Sequence, residues 1–507
     1  MTATLAPAAP AIPVNPFAGR FDPLMACDAY KLGHVLMYPA RTTGVLANVT
    51  PRGSRIPGVN AFVAFGMQAF IDHLTDLWQP FFDADVDEVC AWYEYRVAQT
   101  VGPNPVGSDH IRRLHAVGYL PLLFCALPEG TETPVRVPMA TIEATVRHAY
   151  WLVNYIETYM ASETWLPIVS ATTALHFRRM LDGWAAKTSD SPAFVDWQGH
   201  DFSARGMQNM LSAAASGAAH LLSFAGSDSL MARDWIEQHY PVEPGEVILG
   251  SVPATEHAVM CAGTAVAGEL DTFRRLIVEL FPTGILSIVS DTFDLWRVCT
   301  EYVTEMRDEI VARDGKVVIR PDSGDPADIL CGDPTAVPGS PAARGVVGLL
   351  WDVFGGTVNS KGYRELDPHI GAIYGDSITF DRADTICARL AAAGFASTNV
   401  VFGIGSFTYT YVTRDTAGLA NKTTWVEVDG VGHDVFKDPV TDSGLKRSAV
   451  GRTAVTVGAD GMPERIDRAT PEQEAASLLR PVWRDGKFLH RTTWGEVVAR
   501  VGARLIR

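Results

Sequence analysis

Residues 316–326 read KVVIRPDSGDP. Lys316 to Ile319 form a short, β-branched, apolar run behind a single charge, which predicts a buried strand. Arg320 and Pro321 end it, and Asp322, Ser323, Gly324 and Asp325 make a polar turn. A strand ending this way offers a cation, a carboxylate, a hydroxyl and free backbone N–H groups together, the set a phosphorylated, hydroxylated sugar needs. A plainer reading is a strand-to-helix loop whose Asp and Ser cap the next helix.

The plan recurs. LSIVSDTFD at 286–294, IGAIYGDS at 370–377 and NVVFGIGS at 399–406 each place Asp, Gly or Ser after a short apolar run, and VILGSVPATEH at 247–257 is a fifth variant. Helical patterns follow, at 269–281 and 380–393. Strand and helix in alternation predict a parallel α/β architecture. Chemically capable residues at several strand C-termini suit a barrel, whose site is assembled from those loops.

The 507-residue chain has room for more than one core. With 47% hydrophobic and 20% charged residues it has a globular composition. No apolar run approaches the roughly 20 residues that span a bilayer, so no membrane association is expected. The first 19 residues are Ala- and Pro-rich without Lys or Arg, which lacks the basic start of a signal peptide and reads as a disordered leader over 1–20. Seven scattered cysteines without a CxxC pair favour a reducing, cytoplasmic setting over a zinc site or disulfide framework. The net charge of −16 argues against nucleic acid as a partner. It also requires any phosphate site to gather positive charge locally.

Ahead of the alternating region the chain looks different. CDAYKLGH at 27–34 is a polar helix start with Asp28 as N-cap, 44–50 a strand, PRGSR at 51–55 a basic turn, and 61–77 an apolar helix. A further helix opens at 83–88, and 119–145 holds several short β-like runs punctuated by Pro and Gly. Helices are expected at 150–165 and 172–187, separated at Pro167. The passage from this mixed α+β domain (21–149) to a barrel-like domain (150–422) is placed near Tyr150, with 423–507 returning to the smaller domain. HDFSARGM at 200–207 precedes a helix at 207–222. In SFAGSDSL at 223–230, Asp228 reads locally as the N-cap of the next helix. Beyond Thr413, 423–428 is a strand, 429–432 a turn, and 434–452 a loop carrying Lys437, Lys446, Arg447 and Arg452.

Taken together, HDFSARG, SVPATEH, VSDTFD, IRPDSG, YGD, FGIGS and VFKDP occur in an order and at spacings that resemble the nicotinamide phosphoribosyltransferase family in its bacterial form, one of the type II phosphoribosyltransferases. The resemblance runs from about Asp28 to about Arg452, with departures in the leader, at 102–111 and at 331–356. It implies an irregular α/β barrel with a smaller β-rich α+β domain. It also implies a homodimer with shared active sites. The implied reaction joins nicotinamide to 5-phosphoribosyl 1-pyrophosphate with Mg2+, giving nicotinamide mononucleotide and pyrophosphate in NAD salvage.

The resemblance also implies roles. Asp322 and Asp376 would hold the ribose hydroxyls near the developing cation, with Gly375 admitting the backbone closely. Gly403, Gly405 and Ser406 would donate to the 5-phosphate. Arg52, Arg205, Arg414, Lys422 and Lys437 would surround phosphate and pyrophosphate. The base would lie between Phe202 and Tyr30 of the second subunit, beside Arg205, with Arg320 reaching its carboxamide and the sugar. For each ring, ordinary core packing is the local alternative. His257 would be phosphorylated by ATP, which stimulates the enzyme. Glu256 would orient the imidazole or join the Mg2+ network, and Asp291 would lie near that ion. A His after Glu256 at a helix start is otherwise a satisfied polar residue. Asp228 would select the amide.

Three other functions stay open at this point. One is nicotinate phosphoribosyltransferase. A second is a barrel glycoside hydrolase using Asp291 with Asp322, and the third a non-catalytic binding protein on the same fold.

Overall fold

The computed structural model describes residues 12–439, 441, 447–503 and 505. The chain forms two compact units. The first takes the described residues up to Val169, 239–241 and 413–493; the second takes 170–238, 242–412 and the described residues from Trp494 on.

The first unit is built on a seven-stranded antiparallel sheet. Its order is Val431–Asp434, Ala420–Val428, Thr42–Thr50, Ala140–Ala144, Leu122–Ala126, Arg480–Arg484 and Lys487–Phe488. Thr42–Thr50 is central because nearly every residue in it is buried. Its pairing with Ala420–Val428 draws 413–422 into this unit, where the sequence reading put them in the barrel-like domain. By Phe17 the chain already packs here: that ring is buried and the Arg20 N–H bonds to the Phe17 carbonyl. Residues 1–11 of the expected leader, and Lys446 of the charged loop, lie outside the described residues.

Two local expectations are corrected. The helix expected over 61–77 is a strand, Ala61–Val63, followed by a helix, Met67–Asp83. Gly66 turns the chain between them at φ +90°, and the buried Glu129 carboxylate takes the N–H groups of Gly66 and Gln68. Pro167 does not divide two helices; one helix, Glu157–Thr188, runs through it. A proline costs a helix one hydrogen bond. Here the flanking Leu166 and Ile168 are buried, and burial of the helix outweighs that local cost. The division between the units falls within this helix rather than near Tyr150.

The second unit contains a six-stranded, all-parallel sheet in the order Gly226–Ser227, Gly199–Asp201, Val400–Ile404, Ile370–Tyr374, Asp314–Arg320, Thr283–Val289. The fifth variant, 247–257, is not a regular strand. It is an extended segment that bridges in parallel at Gly250 to Gly226 and at Ala254 to Ser287. Those residues belong to the two edge strands, so this segment ties one edge to the other and makes an irregular barrel. Four backbone hydrogen bonds hold it: Ser227 N–H to Gly250, Gly250 N–H to Ala225, Thr255 N–H to Ser287 and Ser287 N–H to Pro253. Pro253 lacks an N–H and cannot extend a ladder, which accounts for the irregular closure.

Register then fixes the working end. Val289 pairs with Arg320, Ile319 with Ala372, Tyr374 with Phe402, Ile404 with Asp201, and Asp201 with Ser227. The residues just past these positions therefore emerge along one rim. Among the described residues no helix is long and apolar enough to cross a membrane.

Candidate active site

A cavity of 1020 Å³ opens on this rim, lined among others by Phe202, Arg205, Asp228, Glu256, Arg320, Asp322, Gly375, Asp376, Gly405 and Ser406. A second cavity of 470 Å³ shares Phe202, Asp228, Ala254 and Arg320 with it and reaches Lys316 and Ile370. The 316–326 turn faces the first of these in the way its residue types suggest. Asp325, rather than Asp322 or Ser323, caps the following helix, Pro326–Cys331, by accepting from the Ala327 and Asp328 N–H groups. This leaves the Asp322 carboxylate on the cavity wall. Gly324 makes the turn at φ +94°, and its carbonyl accepts from the Tyr374 hydroxyl.

Asp291 supports that turn from the neighbouring strand end. Its Oδ2 accepts the Asp322 N–H at 2.8 Å and the Ser323 hydroxyl at 2.6 Å. Among the described residues its Oδ1 has no hydrogen-bond partner, and the side chain is only 5% exposed. His257 begins the helix His257–Ala267. Its Nε2 lies 3.8 Å from Asp291 Oδ1 and 3.9 Å from Asp322 Oδ2, and its Nδ1 3.3 Å from Thr292 Oγ1. Glu256 occupies the N-cap position without a side-chain cap bond, so its carboxylate is left to the cavity. Glu256 and Asp322 on the wall, with Asp291 behind the turn carrying a buried oxygen, are the donors a hard divalent cation takes. Among the described residues no group of three or more His, Cys, Asp or Glu is arranged to hold a metal unaided. Such an ion would therefore take most of its ligands from water and substrate phosphates.

Across the rim, the Phe202 N–H bonds to the Ile404 carbonyl, and its ring lies over two glycines. A Cβ on Gly403 would come within 2.4 Å of that ring, and one on Gly375 within 3.1 Å. Gly403 thus makes room for Phe202 inside its strand. Gly405 and Ser406 lie beyond the strand end and line the cavity. A Cβ on Gly405 would meet nothing within 4 Å. Asp376 is exposed into the same space beside Ser377, which adopts a left-handed φ of +52°.

Asp228 is not an N-cap. The following helix, Met231–His239, starts later, and the Asp228 side chain turns to His200 and Ser251 instead. Both meet the same oxygen: His200 Nε2 lies 3.0 Å from Oδ1, and the Ser251 hydroxyl donates to it as well. Burial pushes the Asp228 carboxyl up, but these two hydrogen bonds, with the charges of His200 and Arg320, hold it below the usual carboxylate range. His200 and Ser251 were not singled out from sequence. His200 had a signal, since it lies two residues before Phe202 and a strand alternates its faces. Ser251 had none.

The remaining sequence candidates belong to the first unit. Arg52 donates to the Gly418 carbonyl at 2.9 Å. Burial lowers the Lys422 amine, which also feels the like charges of Arg52, Lys437 and Lys31, with Glu157 opposing them. Lys31, which sequence reading passed over, pairs with Glu157 at 2.7 Å. Desolvated cations that raise one another's energy suit an anion. Arg414 is paired with Asp415 and acts electrostatically on Tyr30. Tyr30 is 64% exposed, so ordinary core packing does not describe it.

The model of the nicotinate phosphoribosyltransferase (NAPRTase) family matches residues 197–487. A nicotinamide phosphoribosyltransferase of Acinetobacter baylyi is 47% identical over 499 residues, covering 96% of this chain and 98% of that one. One from Mycoplasma pneumoniae is 35% identical, covering 85% and 94%. Among solved structures, nicotinate-nucleotide pyrophosphorylase from Pyrococcus furiosus matches with a TM-score of 0.56 at 15% identity. Human nicotinic acid phosphoribosyltransferase matches with 0.53 at 16%, each match covering 94% of both chains. At those identities the likeness is one of fold.

Proposed function

Because the chain belongs to the nicotinate phosphoribosyltransferase family, with near full-length relatives that are nicotinamide phosphoribosyltransferases, we propose that it transfers phosphoribose from 5-phosphoribosyl 1-pyrophosphate to nicotinamide. The observation that carries the choice of substrate is Asp228, held ionised on the cavity wall with Oδ1 already engaged by two donors. Oδ2 is then the acceptor for an incoming N–H, which a carboxamide has and a carboxylate lacks.

The ring nitrogen of nicotinamide attacks the anomeric carbon with its lone pair. The bond from that carbon to pyrophosphate breaks, and its electrons leave with pyrophosphate. The attacking nitrogen carries no hydrogen, so no proton moves and the product is a pyridinium. Catalysis here is positioning and electrostatic stabilisation. Asp322 and Asp376 face the sugar as it gains positive charge, and Gly375 leaves space beside them. Gly405 and Ser406 take the 5-phosphate and Phe202 stacks on the base. Arg205 and Arg320 lie towards the base, Arg320 reaching the carboxamide and sugar. For Arg52, Arg414, Lys422 and Lys437 the family resemblance supports a role towards phosphate and pyrophosphate.

Mg2+ would be held beside Asp291, whose Oδ1 lies 3.8 Å from His257 Nε2, with Asp322 and Glu256 on the adjoining cavity wall. When bound, it would neutralise the pyrophosphate charge. Two further parts of the proposal rest on the family resemblance: a cytoplasmic homodimer in which Tyr30 of the partner subunit covers the base, and ATP as a stimulator acting through His257. The imidazole is 48% exposed, which leaves it open to a phosphoryl donor. In His257→Ala, ATP-dependent stimulation is expected to vanish while some basal synthesis persists. Rates with and without ATP check this, and undiminished stimulation would remove His257 from the role.

Of the other readings, a glycosidase pair needs two carboxylates free to act on the sugar. Asp291 is committed to the Asp322–Ser323 turn. The deciding experiment supplies the protein with phosphoribosyl pyrophosphate, Mg2+ and equal nicotinamide and nicotinate, and identifies the nucleotide. Nicotinamide mononucleotide is expected to predominate, and a predominance of the nicotinate product would overturn the reading.

A further inference from the structure

The geometry points to His200 as a positioning residue that presents a single oxygen of Asp228 to the substrate and so sets the preference for amide over acid. This inference rests on the proposed reaction and assigns a residue that the reaction itself does not require.

His200 and Asp228 lie on or just beyond adjacent parallel strands, with His200 paired to Gly226. A Cβ on Gly226 would come within 2.6 Å of His200 Nδ1, so the ring lies directly over that glycine. Phe202 confines it along its own strand, with ring centroids 4.9 Å apart. Held there, His200 brings Nε2 to 3.0 Å from Asp228 Oδ1. An ionised carboxylate only accepts, so the proton of this hydrogen bond sits on Nε2. Ser251 donates to the same oxygen from the segment that closes the barrel. With both donors on Oδ1, rotation of the carboxylate would cost both bonds, and Oδ2 stays turned to the cavity.

Without the His200 donor, Asp228 keeps its charge but loses its fixed orientation. Nicotinamide then meets an acceptor that must first be ordered. Nicotinate, which gains nothing from Oδ2, has less to lose. The ratio of the two substrates therefore moves, where a merely structural role would reduce both alike.

The test compares His200→Leu, which removes the donor, with His200→Gln, whose amide nitrogen stands at the same number of bonds from Cβ as Nε2. The full-length protein is assayed for kcat/KM with nicotinamide and with nicotinate, and for KM with phosphoribosyl pyrophosphate. In His200→Leu the nicotinamide-to-nicotinate ratio is expected to fall about tenfold or more, the scale of a lost hydrogen bond to a charged group. It is expected to fall through the KM for nicotinamide, with the KM for phosphoribosyl pyrophosphate unchanged. His200→Gln should restore the ratio to within about threefold, a fraction of one such bond. If His200→Leu does not fold, His200→Asn replaces it, because its amide falls short of Asp228. An unchanged ratio in the donor-less variant, or equal losses in it and in His200→Gln, overturns the positioning role. Wild type that itself prefers nicotinate overturns the proposed reaction, and this inference with it, before any variant is compared.

Discussion

In Asp228→Ser, kcat/KM for nicotinamide is expected to fall by about 10- to 100-fold, the worth of a charge-assisted hydrogen bond, while kcat/KM for nicotinate rises. The two effects share a cause. Asp228 is held ionised, its carboxyl kept below the usual range by His200 and Ser251 despite burial. An amide NH2 donates to it; a substrate carboxylate meets it charge against charge, and a desolvated like-charge contact costs on the order of several kcal/mol. Serine keeps a small acceptor and removes the charge, so the penalty on the acid disappears and only part of the gain with the amide survives. Because the folded-state pKa is lowered, the carboxylate stays charged through the neutral and mildly acidic range. The same sign makes its contribution to stability present above the unfolded pKa and lost as pH falls through the folded one. Steady-state kinetics with both substrates, in wild type and variant, decide the matter. A preference ratio indifferent to the substitution would remove Asp228 from selection.

Asp322→Asn is expected to lower kcat by about 10²- to 10³-fold, as loss of one preorganised electrostatic group does, with a small change in Tm. The separation between these effects comes from the turn itself. Asp322 contributes its backbone N–H to Asp291, and the helix cap is supplied by Asp325, so neither depends on the Asp322 side chain. The carboxylate is free to face the sugar, and its charge matters as the anomeric carbon becomes cationic. Asparagine keeps the shape and removes that charge. Single-turnover rates at saturating substrate, read beside a thermal melt, check both halves. A variant with wild-type kcat would show that the charge of Asp322 does not act on the transition state.

The sequence by itself determined the elements whose signals are local. Short apolar runs are strand signals that act locally, and Asp314–Arg320, Thr283–Val289, Ile370–Tyr374 and Val400–Ile404 appear where four of the five occur, the run at 247–250 being the exception. Their shared ending in Asp, Gly or Ser pointed to the strand C-termini, where a cavity opens. The order of the motifs was enough to reach the family. What side chains do at those ends was decided by tertiary structure. Nothing in DSGD tells which carboxylate caps the helix and which faces the cavity; Asp325 caps because the helix begins one residue after it. Nothing local shows that 250–254 ties the sheet edges together, since each bridge is made to a strand far along the chain. That Gly403 clears space for the Phe202 ring shows only once the strands are paired. Asp228 reads as a cap until parallel pairing sets His200 beside it, and barrel closure adds Ser251 on the same oxygen. Pattern and propensity act over a few residues, whereas the chemistry of a carboxylate depends on which donors register and closure bring within about 3 Å of it.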